Sequence, residues 1–182
     1  TMDAKMSGDL VYVVGTTSDE LGASEFYRSF GFVGSNAPKV DIPTAKETYR
    51  AISTATKEQL LASAHGVYEG GLAASFAKIA FAGDLGMDVD LSLVPNDIDG
   101  ENDLKDIKLL YSKSASRLVV TIAPEDRERF ENILYERNVS YAGVGRVTAD
   151  KTFNVKGVSG ETIIDESIYK LKDAYKGTFG GL

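Results

Sequence analysis

Ser63-Ala64-His65-Gly66-Val67-Tyr68-Glu69-Gly70-Gly71-Leu72 compresses a short strand, a glycine turn and the start of a helix into one continuous stretch. The helix that follows, Leu72 to Ala82, is apolar nearly all round, so it must be buried, and its alanines let a neighbouring element approach closely. A strand that turns through two glycines into such a helix calls for helices layered on a sheet. Upstream, Leu10 to Val14 is a β-rich run closed by the turn-forming cluster Gly15 to Ser18, and Asp19 to Gly31 reads as a short helix. Asp41 is placed as the N-cap of a further helix with Pro43 in its first turn. That helix is expected to reach about Leu61, with Ala45, Tyr49, Ile52 and Leu60 as its buried stripe. Downstream, Met87 to Leu91 alternates apolar and acidic residues, which predicts a half-buried strand.

Asn96 to Asp106 reads as a polar, acidic surface loop. Ile107 to Tyr111 and Arg117 to Ala123 read as strands joined by the polar turn Ser112 to Ser116. Pro124 opens a helix with Glu125, Asp126 and Glu128 in its first turn and Arg137 near its end, a charge order that complements the helix dipole. Strands around Ser140 to Val147, Lys151 to Lys156 and Thr162 to Asp165 follow, and Ile168, Leu171 and Tyr175 mark the buried face of a last helix that stops at Gly177. The expected class is α+β, a layered α/β sandwich with helices packed on a mixed sheet. Residues 1–14 read as a strand that belongs to or links from a preceding domain, and 15–182 as the domain proper.

The chain has 182 residues, Lys+Arg 20 against Asp+Glu 27 and a net charge of −7, which argues against bulk nucleic-acid binding. Cys 0 removes disulfides, thiolate metal sites and Cys nucleophiles, and fits a reducing compartment. With His 1, any Ser-His-Asp triad would have to use His65. No apolar run is long enough to span a bilayer and no secretory signal is evident, so the expected setting is cytoplasmic, without membrane partners. The start at Thr1-Met2, close to a strand, is compatible with a piece of a longer polypeptide.

Two stretches carry candidate chemistry. Glycines at a helix N-terminus let backbone N–H groups face an anion, so Gly70 and Gly71 are candidate phosphate ligands, or else glycines that merely permit a tight turn. The stretch lacks the Lys-Ser/Thr of a P-loop and the full dinucleotide fingerprint, and Glu69 beside it would repel phosphate. Ser112, Lys113, Ser114, Ser116 and Arg117 offer hydroxyls and cations for a phosphorylated substrate, or form a plain polar hairpin. His65 reads as a base, a ligand or a hydrogen-bonded structural residue. The acidic loop Asp97 to Asp103 fails as an EF-hand, because Pro95 would stand first and Asp106 twelfth.

Asp19 to Tyr27 resembles the "ELGGSEYY" segment of the phosphoribosylformylglycinamidine synthase large-subunit family, and His65 to Leu72 resembles its "HDLSEGGL". Phe81-Ala82-Gly83, Leu85-Gly86, Leu110 to Arg117 and Lys176-Gly177-Thr178 fall where that family's C-terminal domain would have them. The resemblance implies the fold of the aminoimidazole ribonucleotide synthetase C-terminal domain and a role as scaffold and interface within an ATP-dependent C–N ligase of purine biosynthesis. That ligase uses ATP and magnesium to convert formylglycinamide ribonucleotide with glutamine-derived ammonia. The implied partners are preceding domains of the same chain and glutaminase and small accessory subunits. ATP and magnesium would sit on the other domains, with none expected here, and no catalytic or metal-binding residue is carried over. Gly66, Tyr68, Ala23 and Lys113 depart from the family's usual Asp, Ser, Gly and Glu, which weakens a ligand role for the glycine turn. Alternative readings are another ATP-dependent superfamily member (aminoimidazole ribonucleotide synthetase, selenide or thiamine-phosphate kinase) and a non-catalytic binding module.

Overall fold

In a computed structural model, which describes residues 1–99 and 104–177, the chain forms one seven-stranded mixed sheet with helices on both faces. The strands are β1 (Leu10–Val14), β2 (Leu61–Gly66), β3 (Gly86–Asp90), β4 (Leu118–Ile122), β5 (Tyr141–Thr148), β6 (Thr152–Lys156) and β7 (Thr162–Ser167). Their order is β2-β4-β1-β5-β3-β6-β7, antiparallel throughout except for the parallel pair β3–β6. The helices are α1 (Glu25–Ser29), α2 (Ile42–Lys57), α3 (Gly71–Gly83), α4 (Lys105–Tyr111), α5 (Arg127–Glu136) and α6 (Ile168–Gly177). This is the layered α+β architecture that the interleaved pattern predicts.

The pattern of each strand follows from what covers it. Val11 and Val13 of β1 pack with Leu72, Phe76 and Ile79 of α3, while Tyr12 and Val14 point the other way, to Ala51 and Ala55 of α2 and Phe130 and Leu134 of α5. A strand buried on both faces is a continuous apolar run. Strand β3 is covered on one face only, so Met87 and Val89 are buried while Asp88 is exposed. Burial of Phe130 with its edge against the Tyr12 ring, centroids 5.2 Å apart, anchors the α5 layer.

Three expectations need correction. Ile107 to Tyr111 is helix α4 rather than a strand, with the i→i−4 bonds of a helix: Lys108 N donates to Leu104 O at 2.9 Å and Ser112 N to Lys108 O at 3.0 Å. Ser112 to Ser116 therefore joins a helix to a strand. Helix α2 starts as expected, with Asp41 Oδ1 accepting from Thr44 N at 2.9 Å, but ends at Lys57. Its buried face is Ala45, Thr48, Ala51 and Ala55, while Tyr49 is 54% exposed. Small residues mark the contact, where Ala51 and Ala55 join Tyr12, Phe130 and Leu134 in one core cluster, and an apolar stripe alone does not reveal it. The helix expected across Asp19 to Gly31 is confined to α1, capped by Ser24.

Residues 10–14, set apart as a strand of or from a preceding domain, lie at the middle of this sheet, between β4 and β5. The segment before them is also fastened: Ala4 N donates to Ile79 O, Ala64 N to Thr1 O, and Gly8 N to Val147 O. At its end Asp9 is 5% exposed, and its Oδ2 has no hydrogen-bond partner among the described residues. Burial raises the Asp9 pKa above 3.8, with the nearby Glu125 adding to the shift and a backbone bond to Met6 opposing it. A carboxyl whose folded pKa is raised costs stability as pH climbs through that folded value, and costs none below the unfolded value. Asp9→Asn is therefore expected to stabilise the fold at neutral pH by about 1 kcal/mol, roughly 2–4 °C in melting temperature. The gain should vanish toward pH 4, as thermal melts at several pH values would read.

Candidate functional site

Because β1 and β4 are antiparallel neighbours with Val14 opposite Leu118, the loop that leaves β1 and the turn that enters β4 emerge at the same end of the sheet. They are laced together there. Ser18 N donates to Ser114 Oγ at 2.9 Å, Lys113 N to Glu20 O at 2.9 Å, and Glu20 N to Ser112 Oγ at 3.3 Å. Beneath them lies Arg117, only 2% exposed. Its Nε donates to Ser114 O at 2.9 Å, its Nη2 to Ser112 O at 2.6 Å, and its Nη1 to Thr17 Oγ1 at 2.8 Å. Burial pulls the guanidinium pKa down to about 10, with the charge of Glu20 acting in the opposite direction, so it stays charged at neutral pH. The planar donor fork thus ties both loops to the sheet.

A cleft of about 580 Å³ opens above this clasp, between the 15–20 loop, residues 36–48 and the 114–116 turn. Its walls carry Asp19, Glu20, Asp41 and Asp97 against the single lysine Lys39, with Ser18, Thr44, Ser114 and Ser116 as hydroxyls. Each carboxylate has one oxygen engaged. Asp19 Oδ2 accepts from Lys108 Nζ (2.7 Å), Glu20 Oε1 from Lys39 N (2.8 Å), Asp41 Oδ1 from Thr44 N (2.9 Å) and Asp97 Oδ2 from Ser18 Oγ (3.0 Å).

The expected ligand residues do not converge on one point. Ser114 and Ser116 line the cleft, Ser116 at φ +59° with its Oγ accepting from Tyr49 at 3.3 Å, while Ser112 is sealed beneath it. Lys113 turns away, with its Nζ 2.7 Å from Glu69 and also donating to Ala23 O. His65 lies outside the lining; its Nδ1 contacts Gly66 O and its ring sits 5.7 Å from that of Tyr68. Gly70 (φ +87°) caps α3, and Gly71 (φ +64°) meets α4 so closely that a Cβ there would overlap the Leu110 carbonyl and lie 2.9 Å from Tyr111 Cα. These glycines fit helix packing, and the four carboxylates in the cleft walls are poorly suited to a triphosphate. Among the described residues no three His, Cys, Asp or Glu side chains group to hold a metal ion, and no helix is long and apolar enough to cross a membrane. Part of the acidic loop, residues 100–103, and Thr178 lie outside the described residues.

Thr17, Glu20, Asn36 and Lys39 were not singled out from sequence. The usable signal was Arg117, a lone basic residue opening an apolar strand, which is costly unless fully hydrogen-bonded.

The family described as AIR synthase related protein, C-terminal domain, matches residues 6–158. The chain is 37% identical over 150 residues to phosphoribosylformylglycinamidine synthase subunit PurL of Thermococcus sibiricus, covering 82% of this chain and 20% of that protein. It is 32% identical over 179 residues to the subunit of the same name from Carboxydothermus hydrogenoformans, covering 97% and 23%. It thus spans between a fifth and a quarter of these relatives' length. Among solved structures, T. maritima PurL complexed with FGAR superposes with TM-score 0.80 at 20% identity, over 93% of this chain and 28% of that one. E. coli HypE, a hydrogenase maturation protein, superposes with TM-score 0.64 at 17% identity, over 92% and 50%. At these identities the structural likeness speaks for the fold alone.

Proposed function

The chain belongs to the AIR synthase-related family, whose C-terminal domain it carries, and from that membership we propose that it is a C-terminal domain of a phosphoribosylformylglycinamidine synthase large subunit. The whole enzyme would be an ATP-dependent ligase that converts formylglycinamide ribonucleotide and glutamine-derived ammonia to the amidine, in the cytoplasm. The observation that carries this reading is the shared name of relatives at 32% identity or more, over four-fifths of this chain or beyond. ATP and magnesium would be held by other domains of the polypeptide, with glutaminase and small accessory subunits as further partners. Residues 1–14, which end in β1, would be the strand that links this domain to a preceding one.

Within that enzyme this domain acts as scaffold and interface. Two observations support the role: the glycine turn is consumed by packing, and large apolar side chains, among them Phe30, Phe32, Val33 and Ile42, stand more than 60% exposed in one stretch of sequence. Calorimetry of the 182-residue chain with ATP, ADP and formylglycinamide ribonucleotide is expected to detect no tight binding. A submicromolar dissociation constant for any of them would overturn the scaffold role. The ligase reading is tested separately, by assaying amidine formation in the complete polypeptide with its ammonia source; a genomic open reading frame that starts at Met2 would sink it.

A further inference from the structure

We infer that residues 22–36 form a hinged flap, which swings as one body to uncover the hollow beneath it and join that hollow to the cleft. The flap is closed on itself. Gly22 N donates to Asn36 O at 2.9 Å and Ala23 N to Val33 O at 2.6 Å, so the two ends of the loop meet. Inside it Arg28 N donates to Ser24 O and Phe32 N to Tyr27 O, and the Phe26 and Phe30 rings meet edge-on with centroids 5.2 Å apart. The Tyr27 ring lies so near Gly34 that a Cβ there would be 2.5 Å from it. A surface loop whose ends meet and whose own side chains pack together is an Ω-loop, a compact unit.

Both stalks of the flap are pinned at one buried post, Glu20. Its backbone is bonded to Ser112 Oγ and to Lys113 N, and its Oε1 takes the Lys39 N–H at 2.8 Å. Leu21 on one side and Ala37-Pro38 on the other are left between post and flap, and there the chain can turn. The flap is held down by the Phe26 ring stacked on that of Tyr111 at 5.4 Å, by Asn36 Nδ2 donating to Asp19 O and by Lys113 Nζ donating to Ala23 O at 3.3 Å. Residues 28–36 are exposed throughout, so burial adds little to those anchors. A segment with few buried apolar contacts opens at a lower free energy than the sheet that carries it. Beneath the flap lies a hollow of about 360 Å³, lined by Asp19 and Leu21 of the body and by Tyr27, Phe32 and Gly34 of the flap. Asp19 and Asn36 also line the cleft, so outward rotation makes one space of two and sets how large a group the cleft admits.

The chain has no cysteine of its own, so one introduced thiol reports the motion. Leu21 is 3% exposed beneath the flap, and the thiol of Leu21→Cys meets N-ethylmaleimide only when the flap is out. Its labelling is expected to be about tenfold or more slower than in the urea-unfolded chain. It should also be about tenfold or more faster than labelling of Val119→Cys, a fully buried position in the sheet that reports global unfolding. Phe26→Ala and Asn36→Ala each remove one anchor, so each should speed Leu21→Cys labelling about fivefold and leave Val119→Cys labelling unchanged. In Asn36→Ala, hydrogen exchange at the Phe32 amide, whose bond is internal to the flap, should change less than about twofold, which separates a swinging body from an unravelling loop. Equal labelling rates for Leu21→Cys and Val119→Cys, labelling as fast as in the unfolded chain, no acceleration by either anchor variant, or exchange at Phe32 that rises with the labelling rate would each overturn the flap. None of these outcomes bears on amidine formation by the complete enzyme.

Discussion

Arg117→Ala is expected to lower the free energy of unfolding by about 3–5 kcal/mol, the range seen when one member of a buried charged network is removed. The loss has identifiable parts. The carbonyls of Ser112 and Ser114 and the hydroxyl of Thr17 each lose a charge-assisted donor. Water does not reach the site, so the acceptors are left unpaired rather than resolvated. In a chain of this size that corresponds to a fall of roughly 6–20 °C in melting temperature. Arg117→Lys restores the charge without the fork, so it should recover less than half of the loss. If Arg117→Ala unfolds within about 1 kcal/mol of the wild type in urea titrations, the clasp does not hold the two loops.

Gly71→Ala is expected to cost at least about 3 kcal/mol, while Gly70→Ala costs about 1–2 kcal/mol. Both positions have positive φ, so both changes meet the strain of a Cβ in the left-handed region. They differ in what the new methyl strikes. At Gly70 it lies 2.5 Å from the Ala74 side chain on its own helix, whereas at Gly71 it strikes the Leu110 carbonyl and the Tyr111 backbone, so α3 and α4 must separate. A ligand role predicts the reverse outcome, with stability kept and nucleotide affinity lost. Denaturant titration of the two variants beside calorimetry with ATP separates a packing glycine from a phosphate-binding one.

The fold was legible wherever one side of an element alone decided its pattern. Val11 to Val14 is apolar without period because both faces are covered, and Met87 to Asp90 alternates because one face is wet, whereas Leu72 to Ala82 buries Leu72, Ser75, Phe76, Ile79 and Ala80 on one face and leaves Ala73, Ala77 and Lys78 half-buried. Leu109 and Leu110 misled, since a short apolar run carries no period long enough to tell helix from strand. Tyr49 misled for another reason: alanine and threonine at 45, 48, 51 and 55 form the true contact, and small side chains at a close approach look like surface in a hydropathy reading. The candidate site was half legible. The 112–116 turn was visible from its hydroxyls and cations, but its partner, the 15–20 loop, lies about a hundred residues away in sequence and joins it only because β1 pairs with β4. The family resemblance identified the two segments without indicating that they touch.

The placement of β1 governs the order in which a nascent chain can mature. Leu10 lies opposite Ile122 on one side and Arg146 on the other, so the first strand of this domain gains its first neighbour only once β4, more than a hundred residues further on, has been translated. At ordinary elongation rates that wait is on the order of ten seconds, during which a strongly β-forming segment, Leu10-Val11-Tyr12-Val13-Val14, stays unpaired. Contacts of such sequence separation close slowly as well. Recovery of soluble protein should therefore respond to translation speed and to chaperones that shield short apolar segments, more than to the stability of the finished domain.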